Sequence, residues 1–282
     1  TRLTGRYLSV ELFPFSFAEY LRFINAPVPD LSRMTTFGQA QLQRHLQEYL
    51  RRGGLPEALR YPELPLARSL YDDVLYRDIA TRYNIGDVRA LKELAYNLIS
   101  NPATLVSFNR MKDQLRLGSV STVSNYIEYL ENSWLLFMVN LYDYSVKRQQ
   151  VAPKKVYCID TGLANTVGFS FSPNTGRLLE NCVYLALRRT TSEVYYFATA
   201  AGAEVDFYLP QTRQLLQVTQ SLTHAETRQR EVRALSEAMS ALGAREGLIL
   251  TEAAEDPIEV SAGTITVQSV AQWLLTPSSR HP

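Results

Sequence analysis

The sequence predicts a multidomain protein that combines an all-helical part with an α/β part. Up to about residue 100, apolar residues recur mainly at helical spacing, and from about residue 174 the pattern changes to alternating helices and strands. A helix-turn-helix pattern followed by two strands separates these parts. The 282 residues are enough for two or three compact units.

The first predicted segment, residues 1–102, is mostly helical. Residues 6–12 alternate like a strand, and we expect the sheet partners of this strand to lie outside the present sequence because helices follow it. Ser16 and Glu19 have the spacing of a capping box and predict a helix start. Further helices are predicted over 36–51, 66–83 and 87–100, and Gly53-Gly54 ends the first of them.

The second predicted segment covers residues 103–172. A helix over 104–116 is followed by Gly118 and by a helix that Ser121 caps and that extends to about Asn132. Strands are predicted over 134–139 and 155–159, with a polar, basic stretch from residue 145 to 155 between them. Two helices followed by a two-stranded ribbon are typical of a winged helix.

The third predicted segment, residues 173–282, has the order α-β-β-β-α-β. Helices are predicted over 176–190 and 225–242, and strands over 193–198, 204–209, 214–219 and 246–250. The stretch from Leu209 to Arg213 has the composition of a hairpin turn. This order predicts an α/β domain.

Composition and charge narrow the classes of function. The net charge is +1, but residues 1–155 carry 20 basic and 15 acidic side chains, and all five lysines lie at or before Lys155. A strongly basic nucleic-acid binder is therefore not indicated, although a local basic site in the first half is compatible with these numbers. The absence of a long apolar run and of a signal peptide, with only two cysteines, predicts a cytoplasmic protein without membrane spans, disulfides or zinc.

A series of short motifs runs along nearly the whole chain. The motifs are Gly5-Arg6-Tyr7, residues 14–21, Gly53-Gly54-Leu55-Pro56-Glu57, Tyr76-Arg77-Asp78-Ile79, Ser121-Thr122-Val123, Tyr129-Leu130-Glu131, Asp160-Thr161-Gly162-Leu163, Glu180-Asn181 and Glu204-Val205-Asp206-Phe207. Each motif alone is weakly specific, but their order is informative. In this order they resemble the portion that follows the ATPase core in a large group of prokaryotic AAA-type ATPases, a domain of unknown function.

The resemblance implies an upstream nucleotide-binding domain, with residues 1–102 as the end of the ATPase core and a helical lid. This chain contains no Gly-rich phosphate loop ending in Gly-Lys, since no lysine follows a glycine anywhere in it. We therefore expect no ATP hydrolysis from this chain alone, and ATP and Mg²⁺ only in the presence of the upstream domain. Arg6 is a candidate nucleotide contact; the alternative is a salt bridge in the lid or an exposed arginine.

The last segment resembles the PD-(D/E)xK nuclease superfamily, which has a restriction-endonuclease-like fold. The resemblance places Glu180 on a helix, Asp206 on a strand, and Gln217 and Thr219 two residues apart on the next strand. In that superfamily the carboxylates gather a divalent metal and a strand lysine assists the attacking water. Gln217 and Thr219 replace a carboxylate and the lysine, so we expect a retained fold with a degenerate site, and no resident metal.

A DNA contact is predicted at the winged-helix-like segment. The candidate recognition helix offers hydroxyl and amide groups but no cation, whereas the basic stretch offers several cations that could contact phosphates. The candidates are Ser121, Asn125, Lys147, Arg148, Lys154 and Lys155. The sequence therefore predicts a non-catalytic recognition or regulatory module that contacts double-stranded DNA or a protein partner; the alternative is a metal-dependent nuclease.

Overall fold

The computed structural model describes residues 10–168 and 175–276. Within these residues the chain is a mixed α/β structure with two sheets, one of three strands and one of six. The predicted strand over residues 6–12 lies mainly outside the described residues, and residues 10–12 are not in a strand. The fold class predicted from the sequence, an α part followed by an α/β part, is confirmed at this level.

Residues 17–100 are mostly helical, as predicted. Ser16 caps the first helix through a complete capping box with Glu19, and the left-handed Gly53 (φ 76°) ends the second helix. The fourth helix continues as a π-helix over Val74–Thr81. The helices of this part are α1 (Phe17–Phe23), α2 (Thr36–Arg52), α3 (Pro56–Arg60), α4 (Leu66–Asp73) and α5 (Val88–Ser100), with a short 3₁₀ turn at Leu31–Arg33.

A three-stranded unit follows, and its first strand corrects the predicted start of the helix over 104–116. The strands β1 (Thr104–Val106), β2 (Leu136–Val139) and β3 (Lys154–Cys158) form an antiparallel sheet in the order β1-β3-β2. Residues 104–106 were expected to be helical, but their backbone pairs with β3. The helices of the unit are α6 (Phe108–Gln114), α7 (Val120–Asn132), α8 (Val146–Val151) and α9 (Thr161–Val167).

Helix α7 begins earlier than predicted. Ser119, not Ser121, is its N-cap, because the Ser119 hydroxyl accepts a hydrogen bond from the backbone N–H of Thr122. Ser121 therefore lies in the first turn of the helix, where its side chain is exposed. The basic stretch between β2 and β3 contains a helix that the sequence did not predict, α8, and Ser145 caps it.

The remaining residues form a six-stranded unit with strand order β4-β5-β6-β7-β9-β8. Strands β6, β7 and β9 are parallel, and the other neighbours are antiparallel. Its elements are α10 (Thr175–Arg188), β4 (Tyr195–Ala198), β5 (Glu204–Leu209), β6 (Gln214–Val218), α11 (Ala225–Leu242), β7 (Glu246–Thr251), β8 (Glu255–Val260), β9 (Gly263–Ser269) and α12 (Val270–Trp273). The sequence pattern predicted these elements as far as β7, whereas β8, β9 and α12 were not predicted.

The two sheets are joined where the chain leaves β2. The backbone N–H of Tyr142 donates to the carbonyl of Tyr196 at 2.7 Å, and the N–H of Tyr196 donates to the carbonyl of Asn140 at 3.1 Å. These bonds cover the outer edge of β4, which would otherwise present unpaired backbone groups. The three-stranded unit is thereby fixed against the six-stranded unit.

Three hydrophobic clusters hold the fold together. The first packs Phe17 and Leu46 from the early helices against Leu179 of α10 and one side of the large sheet. The second joins α4 and α5 to the three-stranded unit, and the third lies between α11 and the large sheet. The predicted segment boundaries at residues 102 and 172 stay predictions, and both are crossed by these clusters.

Two of the sequence motifs meet in space. The carboxylate of Asp160 accepts hydrogen bonds from the backbone N–H groups of Gly54 at 2.6 Å and Leu163 at 2.8 Å. A Cβ atom on Gly162 would collide with the backbone of Arg52. Burial raises the pKa of Asp160 to about 6, against the effect of these donors. The Gly53-Gly54 and Asp160-Thr161-Gly162 motifs are thus parts of one tight junction between α2 and α9.

Candidate functional site: a lysine enclosed by carboxylates

A cluster of charged side chains lies between the two sheets. Lys155 comes from β3 of the three-stranded unit, Glu180 from α10, and Glu204 and Asp206 from β5 of the six-stranded unit. The Nζ atom of Lys155 lies 2.7 Å from Glu180 Oε1, 2.6 Å from Glu204 Oε1 and 2.8 Å from Asp206 Oδ1. A single ammonium group is therefore in contact with three carboxylates.

The cluster is almost closed to solvent. The side chain of Lys155 is 2% exposed, and those of Glu180 and Asp206 are 11% and 8% exposed. Glu204 is the most accessible member, at 34%. A buried charge is stable only when it is paired and hydrogen-bonded, and this arrangement satisfies that condition for the ammonium group.

Further hydrogen bonds orient two of the carboxylates. The hydroxyl of Tyr157 donates to Glu180 Oε1 at 2.7 Å, and the backbone N–H of Val218 donates to Asp206 Oδ2 at 2.8 Å. Tyr157 itself is held by stacking on Tyr184, with ring centroids 4.2 Å apart. The carboxylates are thus preorganised by the surrounding fold.

Burial and charge act against each other on the ionisation of the cluster. Burial lowers the pKa of Lys155, but Asp206 and Glu180 outweigh burial and raise this pKa well above its usual value. Burial raises the pKa of Glu180 to about 8, and the neighbouring charge of Asp206 adds to this effect, while Lys155 and the Tyr157 hydroxyl oppose it. The ammonium form of Lys155 is therefore the stable form.

Gln217 and Thr219 do not complete a carboxylate and lysine pair. Gln217 Oε1 accepts a hydrogen bond from the backbone N–H of Asp206 at 3.1 Å, and its Nε2 donates to Glu231 at 2.5 Å. Arg230 in turn pairs with Glu231. Thr219 follows β6 and donates its backbone N–H to the carbonyl of Leu250. Glu180 and Asp206 therefore meet at Lys155, whereas the side-chain amide of Gln217 bonds to the Asp206 backbone and to Glu231.

The role expected for Lys155 is corrected by this geometry. We expected it to be an exposed DNA contact beside Lys154, but its ammonium group is buried among carboxylates and is not available to a surface phosphate. No lysine follows Lys155 in the sequence, so a lysine beside Glu180 and Asp206 had to come from an earlier element. In the structure Lys155 contacts both carboxylates from β3. The available signal was the placement of Lys155 and Tyr157 two residues apart on one face of a strand.

The other candidate DNA contacts lie on the surface. Lys147 and Arg148 are exposed on α8, and Arg148 pairs with Asp143 at 3.0 Å. The ammonium of Lys154 lies 5.7 Å from the centre of the Phe108 ring. Ser121 and Asn125 are exposed on α7. Arg6, the candidate nucleotide contact, lies outside the described residues.

A divalent metal does not fit the cluster. The nuclease resemblance implies Mg²⁺ at Glu180 and Asp206, but the Lys155 ammonium already contacts both carboxylates at hydrogen-bond distance. Across residues 10–168 and 175–276, no group of three or more His, Cys, Asp or Glu residues is arranged to hold a metal.

Cys158 and Cys182 are unpaired and buried, and burial raises the pKa of both thiols to about 12. Nor do the described residues contain a helix with the length and hydrophobicity to cross a membrane.

Two protein families match consecutive parts of the chain. Residues 43–174 match the model described as Domain of unknown function (DUF8612), and residues 175–272 match Domain of unknown function (DUF4143). The junction between the two matches is close to the predicted boundary at residue 172. It also separates Lys155 from the three carboxylates, so that the cluster joins the two matched regions.

Two curated relatives extend this comparison. An uncharacterized protein of Methanocaldococcus jannaschii is 32% identical over 254 residues, which cover 86% of this chain and 56% of that protein. An uncharacterized protein of Haemophilus influenzae is 28% identical over 226 residues, which cover 77% of this chain and 54% of that protein. The chain thus spans about half the length of these relatives. No solved structure matches it.

Proposed function

We propose that this chain is the C-terminal recognition and regulatory module of an AAA-type ATPase, and that it contacts DNA or a protein partner without cleaving nucleic acid. One observation carries the non-catalytic part of this proposal. The ammonium group of Lys155 already contacts Glu180 and Asp206, the acidic residues that a nuclease would use for metal binding. A phosphodiester could not reach a site whose ammonium group is 2% exposed.

The order of elements in the three-stranded unit supports a recognition role. The sequence α5, β1, α6, α7, β2, β3, with β3 in the centre of the sheet, is the order of a winged helix. In such a unit α7 is the recognition helix, and the β2–β3 connection, which contains α8, takes the place of the wing. The exposed Ser121, Asn125 and Lys147 and the half-buried Lys154 lie on these elements.

The ordered motifs and the lengths of the relatives support the link to an ATPase. The motif series resembles the region that follows an AAA-type core, and relatives about twice as long as the aligned region have room for such a core. The chain itself contains no Gly-Lys pair for a phosphate-binding loop. Nucleotide hydrolysis is therefore assigned to the longer protein and not to this chain.

One observation favours the alternative, a metal-dependent nuclease. Lys155 lies 2.8 Å from Asp206 and so supplies a lysine that Thr219 does not. An active site would then require Lys155 to withdraw from at least two carboxylates, which would leave buried charges unpaired. The cost of that rearrangement is the reason to prefer the non-catalytic function.

Cleavage and binding assays separate these functions. The chain and its Glu180→Gln/Asp206→Asn variant are incubated with supercoiled plasmid and Mg²⁺ or Mn²⁺, and we expect no cleavage above background from either. Cleavage by the wild type that the variant lacks would establish the nuclease alternative. Binding to labelled duplex DNA is measured over a salt series with the Lys147→Ala/Arg148→Ala/Lys154→Ala variant beside it. Lys155 is omitted from that variant because it is buried.

A further inference from the structure

The exposed apolar side chains around α8 form an unusual surface. We call residues 144–154 the α8 surface. On it Tyr144 is 84% exposed, Val146 is 65% exposed and Val151 is 74% exposed. Scattered single apolar residues need no explanation, but a group of them on one short element is typical of an interaction site.

The α8 surface is held in place from the side of the large sheet. The ring of Tyr142 lies edge-on to that of Tyr208 on β5, with centroids 4.5 Å apart, and also contacts Tyr144 and Tyr195. Gln149 on α8 donates a hydrogen bond to the carbonyl of Asp143 at 2.6 Å. A surface held by aromatic packing and hydrogen bonds loses little conformational entropy when a partner binds.

A small cavity opens beside the exposed Val151. It has a volume of about 230 Å³, and its walls include Phe108 of α6, Val120 of α7, and Val151 and Pro153 of the α8 surface. Lys154 and Gln150 add polar groups to the lining. Because sites for small molecules usually have about 300–1,000 Å³, this cavity is better matched to a single apolar side chain of a larger partner.

The charge around this cavity is positive. Lys147 and Lys154 form no ion pair with any residue in the described part of the chain, and Arg148 pairs only with Asp143 there. The α8 surface thus carries three cations. Lys147 forms no ion pair there, and Lys154 acts beyond ion-pair distance on the buried Glu131, whose pKa burial raises and Lys154 lowers. Complementary charge on a partner would be negative.

We propose that the α8 surface binds a protein segment that carries Asp or Glu residues around one apolar anchor side chain. The anchor would enter the cavity beside Val151, and the carboxylates would meet Lys147 and Lys154. This inference rests on the proposed function, because it assigns a partner class to the recognition module. Exposed valines offer nothing to a phosphate backbone, whereas they can pack against an apolar side chain of a protein segment.

Selection of peptides from a random displayed library tests the proposal. The whole chain is used as bait, and enriched peptides are synthesised with a fluorescent label for anisotropy measurements. We expect enrichment of peptides that combine an aromatic or aliphatic residue with Asp or Glu. Val146→Ser/Val151→Ser and Lys147→Ala/Lys154→Ala should each weaken their binding about tenfold or more. The matched control Val28→Ser/Leu64→Ser removes exposed apolar side chains elsewhere and should bind like the wild type.

Four results would overturn the proposal. The first is enrichment of peptides without acidic residues, and the second is equal binding by the wild type and the valine variant. The third is duplex DNA binding that the lysine variant loses and the valine variant keeps, with no peptide enriched, which assigns the surface to nucleic acid. The fourth is self-association in sedimentation that only the valine variant loses, which assigns the surface to a second copy of the chain. None of these results bears on nuclease activity. The cleavage assay therefore tests the proposed non-catalytic function independently of this inference.

Discussion

Lys154 and Lys155 are neighbours in the sequence, yet they belong to opposite parts of the molecule. Lys154 faces the solvent side of β3 near Phe108 and forms no ion pair within the described residues, whereas Lys155 points between the sheets into three carboxylates. The alternation of a strand places successive side chains on opposite faces, and this alone separates the two lysines. Neighbouring basic residues on a strand therefore cannot be assigned to one surface until it is known which face of the strand each side chain lies on.

The largest effect is expected from removal of the buried lysine. Lys155→Met leaves Glu180, Glu204 and Asp206 without their common cation, and breaking such a buried pair costs about 3–5 kcal/mol of folding stability. Urea unfolding followed by circular dichroism measures this loss. Lys154→Met is the matched control and should change stability by less than about 0.5 kcal/mol. Equal effects of the two substitutions would contradict the structural distinction between these lysines.

A double-mutant cycle sharpens the assignment of the ion pairs. The cycle is measured above about pH 8, where Glu180 is ionised in the wild type. In a Lys155→Met background, Glu180→Gln then removes a carboxyl group that has already lost its cation, so it should destabilise the chain much less than it does in the wild type. We expect a coupling free energy of about 1–3 kcal/mol from the four unfolding measurements. Strict additivity would show that Lys155 and Glu180 do not interact in solution.

The pH dependence of stability gives a smaller effect with a defined sign. The pKa of Glu180 is raised from 4.5 to about 8, so between these values the folded state holds a proton that the unfolded state has released. Stability should therefore fall as pH rises from about 4.5 through about 8. Glu180→Gln should flatten this dependence in unfolding measurements at several pH values. A profile that is unchanged in the variant would show that another group causes it.

The smallest effect on stability is expected at the exposed cations. Lys147→Ala/Arg148→Ala removes one free cation and one exposed ion pair, and it should change the unfolding free energy by less than about 1 kcal/mol. The variant should instead bind its partner more weakly, and its affinity should depend less on the salt concentration. A large loss of stability would show that α8 contributes to the fold and not only to a surface.

The sequence by itself determined the elements with strong local signals. The capping box at Ser16 and Glu19, the apolar stripe of α2 and the left-handed Gly53 act over a few residues, and all three are present in the structure. The spans of β5 and α11 were also predicted as observed. The β9 strand was missed although Ile265 and Val267 alternate with polar residues, so its signal was available.

Only the tertiary structure decided which distant residues meet. Strand β1 forms because β3 offers its backbone to residues 104–106, a pairing that no local pattern contains. Lys155 reaches Glu180 and Asp206 across 25 and 51 residues of chain, and Asp160 reaches Gly54 across 106. A local pattern reports the face and the secondary structure of a residue, whereas its partner across the fold depends on how the sheets pack. The step from an expected surface contact to a buried lysine in a carboxylate cluster therefore required the structure.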